Sequence, residues 1–185
     1  MEFLIGIGIL VALGFWLVSI YNRLVALNQR VDQSYADIEV QLNQRHDLIP
    51  NLVETVKGYA SHEKETLDAV VQARNSAVSA SGPAAQASAE GVLTGALGKL
   101  FALAEAYPDL KANTNFLQLQ DELSDIENKI AAARRFFNNA VSELNTGIQQ
   151  FPAVLFASSF GFSEKEFFDL GEDRATISQT PKVEF

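Results

Sequence analysis

The sequence predicts an all-α protein in which a single N-terminal transmembrane helix precedes an antiparallel, up-and-down four-helix bundle. An uninterrupted apolar run extends from Phe3 to Ile20 and contains no charged side chain. After this run, apolar residues recur at spacings of three and four, the period of a helix buried on one face. Strand-like alternation is nearly absent. We therefore divide the chain into a membrane anchor (1–21), a helical bundle domain (22–170) and a disordered C-terminal tail (171–185).

The apolar run has the length of a membrane span. A helix over these residues is about 27 Å long, close to the hydrocarbon thickness of a bilayer. The residues assigned to the anchor are Phe3, Leu4, Ile5, Leu10, Phe15, Trp16 and Tyr21. Two alternatives fit less well. A cleaved signal peptide would have a basic start and a small-residue cleavage site, and a buried core helix would not be apolar on every side.

Charges after the run indicate the orientation of the anchor and exclude some partners. Arg23 and Arg30 follow the span and no Lys or Arg precedes it, so the positive-inside rule places the domain in the cytoplasm. The absence of cysteine fits a reducing compartment. All 14 basic residues and all but one of the 23 acidic residues lie after the span. Because this balance is acidic, no nucleic-acid partner is expected.

The first bundle helix continues directly out of the membrane. Its inward face consists of Leu24, Leu27, Val31, Tyr35, Ile38 and Leu42. For the stretch from Arg45 to Pro50 we favour a tight turn, in which Asp47 caps a second helix. The alternative is one long helix kinked at Pro50. The apolar stripe that favours the alternative runs on through Ile49, Val53, Val56 and Ala60. In the favoured interpretation the second helix ends near Ala80, and Gly58 packs closely against a neighbour in its middle.

Two further helices complete the predicted bundle. The third covers about Ala84 to Glu105, and its three glycines (Gly91, Gly95 and Gly98) would allow a neighbouring backbone to approach closely. Asn113 or Asn115 caps the fourth helix, which ends near Gln150. The fourth helix carries an apolar seam of about four heptads. The seam residues are Phe116, Leu119, Leu123, Ile126, Ile130, Ala133, Phe137, Ala140 and Leu144.

The segment after the fourth helix is rich in phenylalanine. Its members are Phe151, Phe156, Phe160, Phe162, Phe167 and Phe168. We favour a short segment folded over one end of the bundle. The alternative is a sticky surface for a partner or a membrane, because exposed apolar patches usually mark contacts.

The residue pattern indicates no catalytic, cofactor or metal site. His62 begins a His-Glu-x-x sequence, but Thr66 stands where a zinc protease has its second histidine. Neither histidine has a glutamate three residues before it, as the ligand pairs of di-iron bundles do. We interpret His62 as a solvated helix-surface residue that could share a face with Glu65, and His46 as part of the turn. The protein is therefore not expected to be an enzyme.

Several short segments, spread over most of the chain, carry a family resemblance. They are Tyr21-Asn22-x-Leu24-Val25, Val40-Gln41-Leu42-x-x-Arg45-x-Asp47-Leu48-Ile49-Pro50-Asn51-Leu52-Val53, Val56-Lys57-Gly58-Tyr59-Ala60-x-His62-Glu63, Ala104-Glu105-x-Tyr107-Pro108-Asp109-Leu110-Lys111-Ala112, Leu119-Gln120-x-Glu122-Leu123, Ile130-Ala131-x-Ala133-Arg134 and Phe151-Pro152. Together they resemble the LemA family of bacterial membrane proteins. The chain departs from that family at His46, where the family often has arginine.

The resemblance implies a four-helix bundle behind one anchor, in the inner membrane of a bacterium, with no established enzymatic activity. It also implies two leads to partners, since one branch of the family belongs to magnetosome membranes and members are often encoded near membrane metallopeptidases of the HtpX kind. Our hypothesis is a non-enzymatic membrane-anchored scaffold or adaptor. The alternatives are a membrane-shaping protein and an accessory subunit of a membrane protease.

Small residues in the span predict self-association. Gly8 and Ala12 form a small-xxx-small pair, which lets two membrane helices approach closely. The alternative is ordinary glycine usage in a lone anchor. We expect a homo-oligomer that depends on the anchor.

Overall fold

A computed structural model describes residues 1–169 of the chain, and no β-strand occurs among them. The helices are α1 (Glu2–Lys57), α2 (Lys64–Ser79), α3 (Pro83–Ala104), α4 (Pro108–Lys111) and α5 (Thr114–Gln149). Two short 3-10 turns follow, Ala153–Leu155 and Ser158–Phe160. The predicted all-α class is confirmed for this part of the chain. The predicted disordered tail, 171–185, lies outside the described residues.

The tight turn predicted between Arg45 and Pro50 is wrong. Helix α1 passes through this stretch without interruption and ends at Lys57, so Gly58 follows the helix rather than packing in the middle of one. A proline inside a helix costs about 3 kcal/mol or more, because it removes a hydrogen bond and crowds the preceding turn. The cost is offset because one unbroken helix keeps a single stripe of apolar side chains buried. These are Ile38, Leu42, Ile49, Leu52, Val53 and Val56, none more than 9% exposed.

Helices α1 and α5 form a long antiparallel pair. Arg30 of α1 contacts Glu143 of α5 at 2.7 Å, whereas Arg45, further along α1, contacts Glu127 at 3.0 Å. Residue numbers therefore rise along one helix as they fall along the other. Gly147, near the end of α5, lies against the part of α1 that follows the apolar run, where a Cβ added to it would meet Leu27 Cδ1 at 3.0 Å.

Helices α2 and α3 form a shorter antiparallel hairpin against the second half of α1. Gln86, near the start of α3, donates from Nε2 to the carbonyl oxygen of Ala77 at the end of α2, at 3.0 Å. Beyond the other end of α3, Tyr107 Oη donates to Glu63 Oε1 at 2.9 Å. The hairpin therefore has a side-chain hydrogen bond near each of its ends.

The core is divided along the length of α1. The half near α2 and α3 is filled by a cluster that runs from Ile49 through Leu67, Leu93 and Leu100 to Leu123. The half nearer the apolar run is filled mainly by α1 and α5, and its residues include Val31, Ile38, Ile130, Phe137, Leu144 and Phe168. The seam predicted for α5 is confirmed, because each of its members is buried or half-buried.

The structure shows which of the two predicted asparagines caps α5. Asn113 is the cap of α5, since its side-chain oxygen accepts a hydrogen bond from the Phe116 N–H at 3.0 Å, whereas Asn115 lies inside the helix.

The prediction that a neighbouring backbone approaches Gly91, Gly95 and Gly98 closely is wrong. A Cβ built on any of them would meet nothing within 4 Å among the described residues.

Candidate functional site at the Arg45–Glu90 ionic cluster

Glu90 of α3 lies at the centre of a group of polar side chains that we call the ionic cluster: Arg45, His46, Gln86, Glu90, Thr94 and Glu127. Glu90 is 2% exposed. Its carboxylate accepts hydrogen bonds from Arg45 Nη1 at 3.1 Å, His46 Nε2 at 2.6 Å and Gln86 Nε2 at 3.1 Å. A carboxylate removed from water needs such donors, since they offset the loss of its hydration.

Arg45 links three helices through its planar guanidinium group. From α1 it contacts Glu90 and Thr94 of α3, the latter at 2.8 Å from Nη2 to Oγ1. The same Nη2 lies 3.0 Å from Glu127 Oε2 on α5. The Arg45 side chain is 3% exposed, but that of Glu127 is 45% exposed. The cluster is therefore buried at Glu90 and reaches solvent at Glu127.

His46 completes the cluster and connects it to α2. An ionised carboxylate can only accept, so a hydrogen bond between Glu90 and His46 requires a proton on Nε2 of the ring. The other ring nitrogen, Nδ1, is buried and has no hydrogen-bond partner among the described residues. The backbone carbonyl of His46 accepts from Arg74 Nε of α2 at 3.3 Å. A cleft of about 240 Å³ adjoins the ring, between α1, the end of α2 and Gln86.

An open groove lies between α3 and α5, with Arg45 and Glu127 at its polar end. Its volume is about 420 Å³. The apolar part of its lining comes from Leu97 and Phe101 of α3 and Leu123 of α5. The rings of Phe101 and Phe116 meet edge to face at a centroid distance of 6.2 Å, so the two helices do touch beyond the groove.

The cluster fixes how the helices are aligned. If α3 slid by one turn along α1, about 5.4 Å, Arg45 and Glu90 would become unpaired buried charges, and such separation costs several kcal/mol. A reacting group needs access to a substrate, whereas Glu90 is enclosed by its three donors. Within residues 1–169, no group of three or more His, Asp or Glu side chains is arranged to hold a metal ion.

The residues predicted for the anchor lie on the exposed first part of α1. Among the described helices, α1 alone is long and apolar enough to cross a membrane, and its most apolar 18-residue window has a mean hydropathy of 2.6 and is 0% buried. Phe3, Leu4, Ile5, Leu10 and Phe15 are all at least 60% exposed. Gly8 and Ala12 are exposed on the same stretch.

The residues predicted from the family segments separate into three places. Arg45 enters the ionic cluster, while Asp47, Pro50 and Asn51 are exposed on α1. The remaining members, Tyr107, Pro108 and Asp109, lie at the start of α4. The pKa of Tyr107 is raised, first by its hydrogen bond to Glu63, then by desolvation and by the charge of Glu63.

The interpretation of both histidines is corrected. His46 was expected in a turn, but it is buried inside α1, at 3% exposure, because the helix does not break there. His62 is exposed as expected, yet it lies in the turn before α2 and shares no helix face with Glu65.

Sequence reasoning missed Glu90 and Gln86, although a signal for both is present. Positions 86, 90, 93, 97, 100 and 104 alternate spacings of four and three, so the two polar residues stand on the buried face of α3. A charge on such a face requires a partner of opposite sign. Arg45 stands in the same way between Leu42 and Ile49 on α1, but the assumed turn concealed it.

Comparison with known proteins agrees with the segments described above. The LemA family model matches residues 34–185. Similar proteins include the magnetosome protein MamQ of Magnetospirillum gryphiswaldense, 25% identical over 88% of this chain and 70% of its own length. Protein LemA of Metamycoplasma hominis is 29% identical over 80% of this chain and 67% of its own. Because the family match extends over most of the sequence, the chain belongs to the LemA family.

Proposed function

We propose that this protein is a non-enzymatic scaffold or adaptor that positions partner proteins at a bacterial membrane. One observation carries the proposal: the apolar span and the first helix of the domain are parts of the same uninterrupted helix, α1. The anchor therefore sets the position of the whole domain. The ionic cluster supports the proposal, because its charged side chains are occupied with one another and hold a fixed arrangement of helices.

The proposal places the domain, as an up-and-down four-helix bundle, on the cytoplasmic side. The antiparallel pairs α1–α5 and α2–α3 support the bundle, and Arg23 and Arg30 support the orientation. The chain has no cysteine, so Val78→Cys, at a side chain 53% exposed on α2, introduces a single label site. We expect a membrane-impermeant maleimide to label it only after the cells are permeabilised. Labelling in intact cells would contradict the cytoplasmic orientation.

Crosslinking in native membranes, followed by identification of the captured proteins, tests the scaffold role. We expect defined membrane partners, and a membrane metallopeptidase among them would favour the role of an accessory subunit. An enzyme would behave differently. If Asp47→Ala, His62→Ala or Glu63→Ala abolished a defined turnover while the helical content stayed intact, the scaffold proposal would be wrong.

Self-association through the span is part of the proposal. Gly8→Leu combined with Ala12→Leu should reduce crosslinked multimers in membranes, because the added side chains keep the two helices apart. Ile5→Leu combined with Ile9→Leu is the matched control, since it changes two exposed span residues without adding volume. Equal multimer yields from both double variants, or a monomer for the wild type, would exclude this contact.

A further inference from the structure

Residues 151–162, which we call the collar segment, pack against α1 where it leaves the apolar run. Ala153 and Ala157 are buried at 4% and 1% exposure and form one cluster with Leu24, with Ile20 packed against it. The ring of Tyr21 meets Phe160 at 5.3 Å and Phe162 at 5.6 Å, both edge to face.

The collar segment is held in place at both ends. It begins directly after α5. After it, Asn145 of α5 donates from Nδ2 to the Lys165 carbonyl at 2.9 Å and accepts from the Lys165 N–H at 2.8 Å. Asn138 binds the backbone of Phe168 in the same way, at 3.0 and 2.9 Å. The segment is therefore a folded part of the domain, with one fixed side against α1.

The outer side of the collar segment is apolar and uncharged. Its large exposed side chains are Phe151 (76%), Leu155 (70%), Phe160 (57%) and Val154 (51%). No Asp, Glu, Lys or Arg occurs between Glu143 and Glu164. Small buried residues on one side and large exposed ones on the other make an amphipathic surface, as in segments that lie in the membrane interface.

The position of this surface identifies the bilayer as its occupant. The headgroup layer on each side of a bilayer is about 5–8 Å thick. Ile20 and Leu24, which contact the collar segment, are separated by about 6 Å along the helix at 1.5 Å per residue. With the span ending near Ile20, the collar segment lies at the height of the headgroups, directly beside the exposed apolar run. Aromatic side chains favour this layer.

We infer that the collar segment inserts its outer side chains into the bilayer interface, as a second membrane contact beside the span. Phe151, Leu155 and Phe160 reach the boundary between headgroups and acyl chains. The domain is then attached at two points, the span and the end of α5. This inference needs the span to cross a membrane but does not depend on the scaffold role.

Tryptophan quenching by brominated phosphatidylcholine tests the inference in the full-length protein, reconstituted in vesicles. Trp16 is the only tryptophan of the chain and lies in the span, so its quenching in the wild type verifies the span independently. In a Trp16→Phe background, Phe160→Trp and Leu155→Trp report on the collar segment. Phe136→Trp is the matched control, because this α5 side chain is 55% exposed and lies about 16 Å farther from the membrane than Gly147.

We expect blue-shifted emission and a loss of intensity in brominated vesicles at positions 160 and 155, with neither at position 136. A further pair of substitutions, Phe151→Ser and Leu155→Ser, should weaken the quenching at position 160 while the circular dichroism stays unchanged. Unquenched tryptophans at 160 and 155, beside a quenched Trp16, would overturn the inference. So would equal quenching at all three positions, or a blue shift without quenching, which would assign the surface to a contact with a second copy of the chain.

Discussion

Replacing Glu90 with alanine removes the centre of the ionic cluster. The substitution leaves Arg45, 3% exposed, without its buried carboxylate, and it leaves His46 Nε2 without an acceptor. Breaking a buried ion pair by removing one partner costs about 3–5 kcal/mol, because the remaining charge stays buried. For a domain of this size, 1 kcal/mol lowers the Tm by about 2–4 °C. We therefore expect Glu90→Ala to lower the Tm by about 6–20 °C.

Glu127→Ala is the matched control, because it removes a carboxylate from the same arginine at the solvent side. Glu127 is 45% exposed, so water and salt weaken its contribution, and we expect a loss of about 0–1 kcal/mol. Thermal unfolding of both variants, followed by far-UV circular dichroism of the full-length protein in mild detergent, measures the difference. If Glu90→Ala melts at the same temperature as Glu127→Ala, the cluster does not hold the helices in alignment.

Three other predictions test the packing and the half-buried phenol of Tyr35. Ile130→Asp should abolish cooperative melting, because it buries an unpaired charge at a position 4% exposed, whereas Phe136→Asp, at a position 55% exposed, should melt nearly as the wild type does. Gly95→Ala should raise the free energy of unfolding by about 0.5–1 kcal/mol, because its Cβ meets nothing and alanine favours the helix, and a lower Tm would indicate an undetected close contact there. Burial first, and the charge of Glu39 second, raise the pKa of Tyr35 above its ordinary 10.0. The neutral phenol therefore contributes its full stabilisation of the fold below pH 10.0, and this contribution is lost as the pH rises through the raised pKa. Thermal melting should be measured below pH 10.0 and above the raised pKa. We expect the Tm of Tyr35→Phe to fall less between these two conditions than the Tm of the wild type, and equal falls would refute this.

The helices were predictable where the burial of one apolar face decides the conformation of the segment. On α5 the apolar seam specifies both the helix and its buried side, and each seam residue is buried or half-buried. Local signals were misleading at Pro50, where aspartate and proline resemble a helix start. There the continuous stripe from Leu42 to Val56 outweighed the local preference.

The ionic cluster could not be assembled from sequence because its members come from three helices. The spacing of α3 identifies Glu90 as an inward charge, but only the packing of α1 against α3 brings Arg45 to it. The collar segment is a similar case. Composition identified an aromatic stretch, whereas its place beside Tyr21 depends on how far α5 runs back along α1.

Because α1 is one uninterrupted helix, a change in the tilt of its first part also moves its far end. Beyond Ile20 the helix continues for about 55 Å, at 1.5 Å per residue. Membrane helices are tilted by about 20° on average, and they change tilt when the bilayer becomes thicker or thinner. A helix of this length that keeps its shape moves its far end sideways by about 19 Å when the span tilts by about 20°. If the apolar run spans a bilayer, a change in its tilt therefore displaces the turn at residues 58–63 more than any other part of α1.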